Sequence, residues 1–180
     1  TQGVSSAASD VYKRQIGTSG DQMAMELLVE SARILGAHSL IPIESSHIDG
    51  CLYHGDSGVL YCEKLAESGT QVKVPTSTNV GALNLTNFNQ TNLTKAKRDM
   101  AYRLMIAHQD MGCIPTWTCA PYQAGARPQY GQQVAWGESN AVAFTNSVLG
   151  ARTNRYGDFL DIACAISVSY THLTLPTILL

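Results

Sequence analysis

The sequence predicts an α/β fold in which helices alternate with short strands and stack in layers. The clearest helix is residues 21–35, where apolar side chains recur at helical spacing and Gly36 then offers a left-handed stop. The short apolar runs 40–43 and 72–75 are typical of buried strands, and residues 59–68 between them form a second helical segment. Alternation of this kind favours a layered α/β domain over a helical bundle or a β-sandwich.

The second half of the chain continues the alternation. One face of the helix predicted at 95–111 consists of Ala101, Leu104, Met105, His108 and Met111. Because His108 lies on this apolar face, we expect it to be a core residue and not a ligand. Residues 114–118 are typical of a buried strand, and 138–149 and 158–166 are further helices. Polar, glycine-containing loops are expected at 47–58, 76–94 and 121–137.

Composition excludes several classes of partner. Of the 180 residues only 14% are charged, the formal net charge is −2 and the pI is about 6.2. Nucleic-acid affinity is built on clustered Lys and Arg facing phosphates, so this balance argues against a nucleic-acid partner. No apolar run approaches the roughly 18 residues of a membrane span, and no basic-then-apolar leader opens the sequence. We therefore expect a cytoplasmic protein without a membrane partner.

The two ends differ in character from the centre. Residues 1–15 and 167–180 resemble translated sequencing-adapter reads that recur at the ends of environmental gene fragments. We expect both segments to be artefacts that make few contacts with the rest. The natural domain is then residues 16–166, an internal piece of a longer polypeptide.

All five cysteines lie within residues 16–166. An odd number without a leader argues against a disulfide framework, which leaves reduced thiols or metal ligands. Cys113 and Cys119 are six residues apart, which is neither a zinc-ribbon nor a ferredoxin spacing. Spacing alone therefore predicts buried thiols, and Cys62 and Cys164 are expected to fill the core.

One loop concentrates groups that transfer protons. Residues 45–56 contain two His, two Asp and a Cys, among them His47 and Asp49. Such a loop can hold an acid or a base. A turn-rich connection with side-chain caps uses the same residue types, so both interpretations stay open.

A second polar segment, residues 138–158, surrounds a short apolar helix with amides, hydroxyls and two arginines. Arg152 or Arg155 could grip a carboxylate through a bidentate fork. The neutral donors beside them are Ser147, Thr153 and Asn154. The alternative is a solvated helix end in which the arginines cap the last carbonyls.

Taken together, these segments resemble the large-subunit region of the aconitase X family. The motifs that carry the resemblance are SHIDGCLYHGD (46–56), VPT (74–76), NVG (79–81), GCIPTWTCAPYQ (112–123) and NSVLGARTNR (146–155). They occur in order through residues 16–166. The resemblance implies a layered aconitase-like domain that is incomplete, since a small swivelling domain, fused or separate, completes the active site in this family.

The resemblance also implies an activity. Members of the family are hydro-lyases that use an iron–sulfur cluster to dehydrate cis-3-hydroxy-L-proline or mevalonate 5-phosphate. The sequence around residues 47–54 and the presence of Cys113 are similar to those of the family branch that acts on hydroxyproline. The chain is therefore identified as a fragment of a dehydratase of a small hydroxy acid, inactive in isolation.

Individual roles follow from the same resemblance. Cys119 is expected to ligate the iron of a [2Fe-2S] or [4Fe-4S] cluster, with Cys113 as the second candidate. The remaining cluster ligands and the general base are expected outside the chain, so no catalytic base is assigned here. The expected substrate-binding residues are Ser147, Thr153, Asn154, Arg155, His47 and Asp49.

Two alternatives remain open. A phosphomevalonate enzyme would need extra donors for a phosphate dianion, and only Arg127, Arg152, Arg155 and a few lysines are available. The other alternative is a metal-free binding module with the same fold, in which Cys119 would be an inert thiol.

Overall fold

The computed structural model describes residues 17–37, 39–87, 90–155 and 157–172. In chain order its elements are α1 (Ser19–Ile34), β1 (Ser39–Pro42), β2 (Ser45–Ile48), α2 (Asp56–Glu67), β3 (Thr76–Thr78), α3 (Lys95–Asp110), β4 (Val134–Trp136), α4 (Ser139–Phe144), a π-helical turn (Thr145–Leu149), α5 (Leu160–Ser167) and β5 (Ser169–His172). The predicted α/β class with alternating helices and short strands is confirmed. Within the described ranges, no helix is both long and apolar enough to cross a membrane.

The centre of the fold is a three-stranded parallel sheet. Strand β2 lies in the middle and pairs in parallel with β3 on one side and β4 on the other. Two further segments extend the sheet through single parallel bridges, from Ile114 to Ser77 of β3 and from Arg152 to Gln133 beside β4. Five segments therefore run in the same direction and end at the same edge.

Helices α1, α2, α3 and α5 cover one face of this sheet and form the main core, which we call the helix-side core. One buried cluster joins Ile48 of β2, Leu65 of α2, Leu104 of α3 and Ile162 of α5. Burying each such side chain contributes about 1.5–3 kcal/mol. The other face is covered more thinly, by α4 and the segment that precedes β4.

The helices lie close to where the hydrophobic spacing predicts them. Helix α1 begins at a capping box, in which the Thr18 hydroxyl accepts the Asp21 N–H and the Asp21 carboxylate accepts the Thr18 N–H at 2.9 Å. Helices α2, α3 and α5 occupy the predicted positions with boundary shifts of a few residues. The segment predicted as one helix over 138–149 divides into α4 and the π-helical turn.

The strands were predicted less well. The run 72–75 is not a strand, because the N–H groups of Val72 and Lys73 donate to the carbonyls of Met111 and Ala165 at helix ends. Strand β3 begins only after Pro75. The predicted strand 114–118 is reduced to the single bridge at Ile114.

Three strands lie in or overlap predicted loops. Strand β3 lies within the loop predicted at 76–94 and β4 within that at 121–137, while β2 overlaps the start of the loop predicted at 47–58. Strand β2 is buried on both faces although it reads Ser-Ser-His-Ile, and the Ser46 hydroxyl is satisfied by the Ala135 carbonyl at 2.9 Å. Such a strand has neither the apolar run nor the alternation from which strands are predicted.

The expectation that the tail makes few contacts is wrong for its described part. Strand β5 pairs antiparallel with β1. Tyr170 is 3% exposed, packs against Leu28 and Ile43, and its hydroxyl donates to Gln133 Oε1 at 2.5 Å. Residues 1–15 and 173–180 lie outside the described residues, and the adapter origin of both ends stays a prediction.

Candidate active site

Polar side chains from five segments meet at the edge where the parallel segments end. They are Asp49 after β2, Asn79 after β3, Cys119 after the segment that bridges β3, Glu138 after β4 and Arg155 after the segment that bridges β4. We call these five residues the carboxyl-edge site. Ligands of open α/β sheets bind outside the carboxyl ends of the strands, so a small-molecule site is expected here.

Asn79 joins the two carboxylates of the site. The residue is 1% exposed, and its Nδ2 donates to Asp49 Oδ1 at 2.6 Å and to Glu138 Oε2 at 2.5 Å. Its Oδ1 accepts the Val80 N–H at 2.7 Å, and its backbone carbonyl accepts the Cys51 thiol at 3.0 Å. Because both ends of the amide are engaged, Asn79 fixes where the carboxylates converge.

The pKa values of the two carboxyl groups shift in opposite directions. Burial, reinforced by the charge of Glu138 and opposed by the Asn79 hydrogen bond, raises the pKa of Asp49. Burial acts in the same direction on Glu138, but hydrogen bonds from Asn79, Asp49 and Ser139 outweigh it and lower the pKa of Glu138. Of the two groups, Asp49 is therefore the one that takes up a proton more readily.

Arg155 places a cation beside this pair. Its Nη2 lies 3.7 Å from Asp49 Oδ2, and 51% of its side chain is exposed. An exposed ion pair of this length stabilises a fold by about 0–1 kcal/mol. The guanidinium therefore contributes little to folding and remains accessible to an anionic ligand.

Cys119 is the cysteine that reaches the carboxyl-edge site. It is partly exposed, and burial, followed by the charge of Glu138, raises its pKa. Among the described residues, no group of three or more His, Cys, Asp and Glu side chains could hold a metal ion. The role of Cys119 as a cluster ligand stays a prediction.

Cys113 lies elsewhere. It is 4% exposed and packs in the helix-side core, where burial raises its pKa to about 12. It is a neutral thiol among apolar side chains, and the carboxyl-edge site does not include it. Its role as a second cluster ligand stays a prediction.

His47 lies within β2 and not at the edge. It is fully buried, its Nδ1 is 2.8 Å from the Ser77 hydroxyl, and its ring lies 6.0 Å from that of Trp136. Burial lowers its pKa to about 4, with the charge of Glu138 opposing the shift. The imidazole is therefore neutral near pH 7, and it lies inside the sheet, before the edge at which the carboxylates of Asp49 and Glu138 meet.

Thr153 and Asn154 shape the loop that carries Arg155. Thr153 exchanges two hydrogen bonds with the Asn146 side chain, at 3.1 and 3.0 Å, and its hydroxyl accepts the Trp136 N–H at 3.0 Å. The Asn154 side chain accepts the Arg155 N–H at 2.9 Å. In this structure both residues position Arg155.

The two arginines of this segment have different environments. Arg152 Nη1 donates to the carbonyls of Gly150 and Ala151 at 3.5 and 3.4 Å, which is the helix-end alternative. Arg155 lies at the carboxylates, which is the clamp alternative. Ser147 is exposed in the π-helical turn.

Sequence reasoning named Asp49, Cys119 and Arg155 but missed Asn79 and Glu138. The available signal was position, since each missed residue follows a strand directly or by one residue. That signal could not be used because β3 was predicted four residues too early and β4 was not predicted.

The chain also has a cavity at the opposite ends of the strands. Its volume is about 270 Å³, and its lining includes Glu44, Ser45, Thr76 and Arg127. Strand-start positions of this kind are not where open α/β sheets bind substrates. The carboxyl-edge site is therefore the stronger candidate.

Comparison with known proteins identifies relatives. The sequence model for the aconitase X first domain matches residues 6–173. A cis-3-hydroxy-L-proline dehydratase of Pseudomonas aeruginosa is 42% identical over 146 residues, which is 81% of this chain and 25% of that protein. The phosphomevalonate dehydratase large subunit of Methanothermobacter thermautotrophicus is 38% identical, over 81% of this chain and 37% of the subunit.

A solved structure has the same fold. The crystal structure of aconitase X from Thermococcus kodakaraensis in its holo-form superimposes with a TM-score of 0.77 and 33% identity, covering 91% of this chain and 40% of the other. The chain thus spans between a quarter and two fifths of the proteins it matches.

Proposed function

The chain belongs to the aconitase X family, and on that premise we propose that it is part of an iron–sulfur hydro-lyase that dehydrates cis-3-hydroxy-L-proline. The hydroxyproline dehydratase is more similar to the chain than the phosphomevalonate subunit is, at 42% against 38% identity. The observation that carries the proposal is the pair of carboxyl groups of Asp49 and Glu138, joined by Asn79 and flanked by Arg155.

These groups supply two parts of a dehydration. The reaction breaks a carbon–oxygen bond and removes a proton from the carbon beside the substrate carboxylate. Arg155 binds that carboxylate through its guanidinium fork. Asp49, the carboxyl group whose pKa is raised, donates a proton to the departing hydroxide, so that water leaves and the Asp49 carboxylate remains. The carbon-bound proton passes to a base outside this chain.

Cys119 fits the expected cofactor as a single thiolate donor. Iron–sulfur clusters are held by Cys thiolates, and Cys119 is the partly exposed cysteine at the site. The cluster, when bound, supplies a Lewis acid that weakens the bond to the leaving hydroxyl. A thiol that coordinates a metal is deprotonated, so Cys119 would hold the cluster as a thiolate.

The rest of the centre lies in other parts of the enzyme under this proposal. The remaining cluster ligands come from a longer polypeptide of which this chain is a piece. The base belongs to a small swivelling subunit or fused domain, as the small-subunit partner of the phosphomevalonate branch suggests. The isolated chain is then inactive, and the complete enzyme works in the cytoplasm. Direct substrate contacts of Ser147, Thr153, Asn154 and His47 stay predictions.

The phosphomevalonate activity is the second candidate, because five large subunits with that name match the chain at 35–38% identity. Assay of the complete enzyme on both substrates separates the two. Dehydration of mevalonate 5-phosphate alone would replace the first proposal. No activity on either, from an anaerobic preparation that binds no iron, would favour the metal-free binding module.

Replacing Cys119 tests the site. In the complete enzyme, Cys119→Ser should lose most of its iron and its visible iron–sulfur absorbance, because a cluster with few protein thiolates loses much of its affinity with one of them. The matched control is Cys62→Ser, a near-isosteric change in the helix-side core that should keep both. Equal iron content in the wild type and Cys119→Ser would overturn the assignment.

A further inference from the structure

We propose that Asp161 is a positioning residue that fixes the turn carrying Asp49 and thereby sets the geometry of the carboxyl-edge site. The expected effect on catalysis rests on the proposed function, whereas the claim that Asp161 fixes the turn does not. Asp161 lies in the first turn of α5 and is fully buried beneath the end of β2. It touches no solvent, so it acts through the backbone of Asp49 and not on a substrate.

The contacts of the carboxylate point to the turn. Asp161 Oδ2 accepts the N–H of Asp49 at 2.6 Å and the N–H of Gly50 at 2.9 Å. Its Oδ1 accepts the N–H of Ile162 at 2.6 Å. Successive N–H groups of one turn thus converge on a single oxygen of a residue more than a hundred positions away.

The surroundings allow this turn little freedom. A Cβ atom at Gly50 would lie 2.1 Å from the Asp158 carbonyl oxygen, so the backbone approaches the segment that leads into α5 more closely than any side chain permits. A Cβ atom at Gly137 would lie 3.0 Å from Asp49 Cβ and 3.3 Å from Asp161 Oδ2. The ends of β2 and β4 and the start of α5 therefore interlock around the Asp161 carboxylate.

A helix-capping role does not account for this arrangement. A capping side chain accepts N–H groups of its own first helical turn, whereas two of the three bonds of Asp161 go to the turn that follows β2. Burial of a carboxylate without a cation is costly to the fold, and burial raises the pKa of Asp161 to about 7. Retention of a costly group whose bonds hold a site residue in place is consistent with positioning.

The consequence for the reaction is geometric. The Asp49 side chain must reach Asn79 and Glu138 together, and its direction is set by the backbone that Asp161 holds. Small misplacements of a reacting group reduce rates strongly, by roughly 10²-fold for about 1 Å. Loss of the Asp161 contact should therefore lower kcat more than it changes KM.

Hydrogen exchange on the 180-residue chain tests the structural part. In the wild type, the amides of Asp49 and Gly50 should be protected. Asp161→Leu is similar in size and has no acceptor, so exchange at these two amides should accelerate about tenfold or more, while amides late in α5 change little. Unprotected Asp49 and Gly50 amides in the wild type would overturn the proposal even if the variant failed to fold.

Kinetics of the complete enzyme test the catalytic part against a matched control. Thr76→Val removes the hydrogen bond of a buried hydroxyl, to the Val74 carbonyl at 2.8 Å, at the opposite ends of the strands. Asp161→Leu should lower kcat about tenfold or more with unchanged iron content and KM changed by less, whereas Thr76→Val should lower only the unfolding temperature. Equal kcat losses in the two variants would make Asp161 merely structural. A complete wild-type enzyme without dehydratase activity would contradict the proposed function, and the exchange result would still decide the role of Asp161.

Discussion

The carboxyl-edge site and the helix-side core are built from overlapping residue types but differ in chemistry. Cys113 and Cys119 stand six positions apart, yet one is a buried neutral thiol and the other lies at the edge beside Asn79. His108 in the core and Asp49 at the edge also differ, since His108 bonds to a backbone carbonyl of its own helix, whereas Asp49 bonds to Asn79 and lies beside Arg155. Residue type therefore says little here, and position relative to the sheet edge decides which groups are available for chemistry.

The physical origin of the difference is solvation. In the core, burial disfavours every charged form, so the pKa of Cys113 rises and that of His108 falls, and both stay neutral. At the edge, Asn79 and Arg155 supply hydrogen bonds and positive charge close to the carboxylates. The pKa of Glu138 is lowered there, so the edge stabilises a negative charge of a kind that burial disfavours in the core.

The largest expected effect is in thiol reactivity. In the native 180-residue chain, Cys119 should react with a thiol reagent at least roughly 10³-fold faster than the four buried cysteines, because these react only after an opening of the core that costs several kcal/mol. Mass spectrometry of peptides after timed labelling measures the five rates. Cys119→Ser should abolish the fast phase, and fast labelling of Cys113 would remove the distinction between the two regions.

The same contrast explains what the sequence could and could not predict. Helices were located well because their apolar faces are recorded locally, as in residues 95–111. Strands β2 and β4 were missed because their burial comes from pairing with distant segments, and β2 reads Ser-Ser-His-Ile. Local patterns contain no record of such pairing.

Prediction of the site followed the same division. Asp49, Cys119 and Arg155 were named through recognisable motifs. Asn79 and Asp161 were missed because an amide bridging two carboxylates and a buried acid holding a turn acquire their roles only through contacts made by the fold. His108 was expected to be a core residue, and the structure buries it completely.

His108 gives the prediction of intermediate size. Its Nδ1 is 2.8 Å from the Leu104 carbonyl, and burial lowers its pKa from 6.5 to about 4. As pH falls from 6.5 to 4, the unfolded chain binds a proton that the folded chain excludes, so stability is lost across this window. His108→Gln removes this linkage and should flatten the dependence of the unfolding free energy on pH by about 1.4 kcal/mol per pH unit.

Denaturant unfolding between pH 4.5 and 7 measures that slope. The control is His54→Gln, the same change at an exposed position, which should leave the slope in place. His47 in β2 has a similarly lowered pKa, so part of the acid sensitivity should remain in His108→Gln. An unchanged slope in His108→Gln would mean that the core admits charge and would weaken the contrast with the edge.

The smallest expected effect concerns Arg155. Replacing this residue at the carboxyl-edge site should change the kinetics of the enzyme but hardly its stability. Because the guanidinium is half exposed and 3.7 Å from Asp49, Arg155→Lys should change the free energy of unfolding by less than about 1 kcal/mol. Lysine keeps the charge but lacks the planar fork, so kcat/KM of the complete enzyme on cis-3-hydroxy-L-proline should fall roughly tenfold, about 1.4 kcal/mol. Arg152→Lys is the matched control, since Arg152 bonds to nearby backbone carbonyls and should leave the kinetics unchanged.

Equal kinetics for the wild type and Arg155→Lys would mean that Arg155 does not bind the substrate. A large loss of stability with intact specific activity would make the pairing of Arg155 with Asp49 a structural contact. The carboxyl-edge site would then resemble the helix-side core in contributing to stability and not to the reaction.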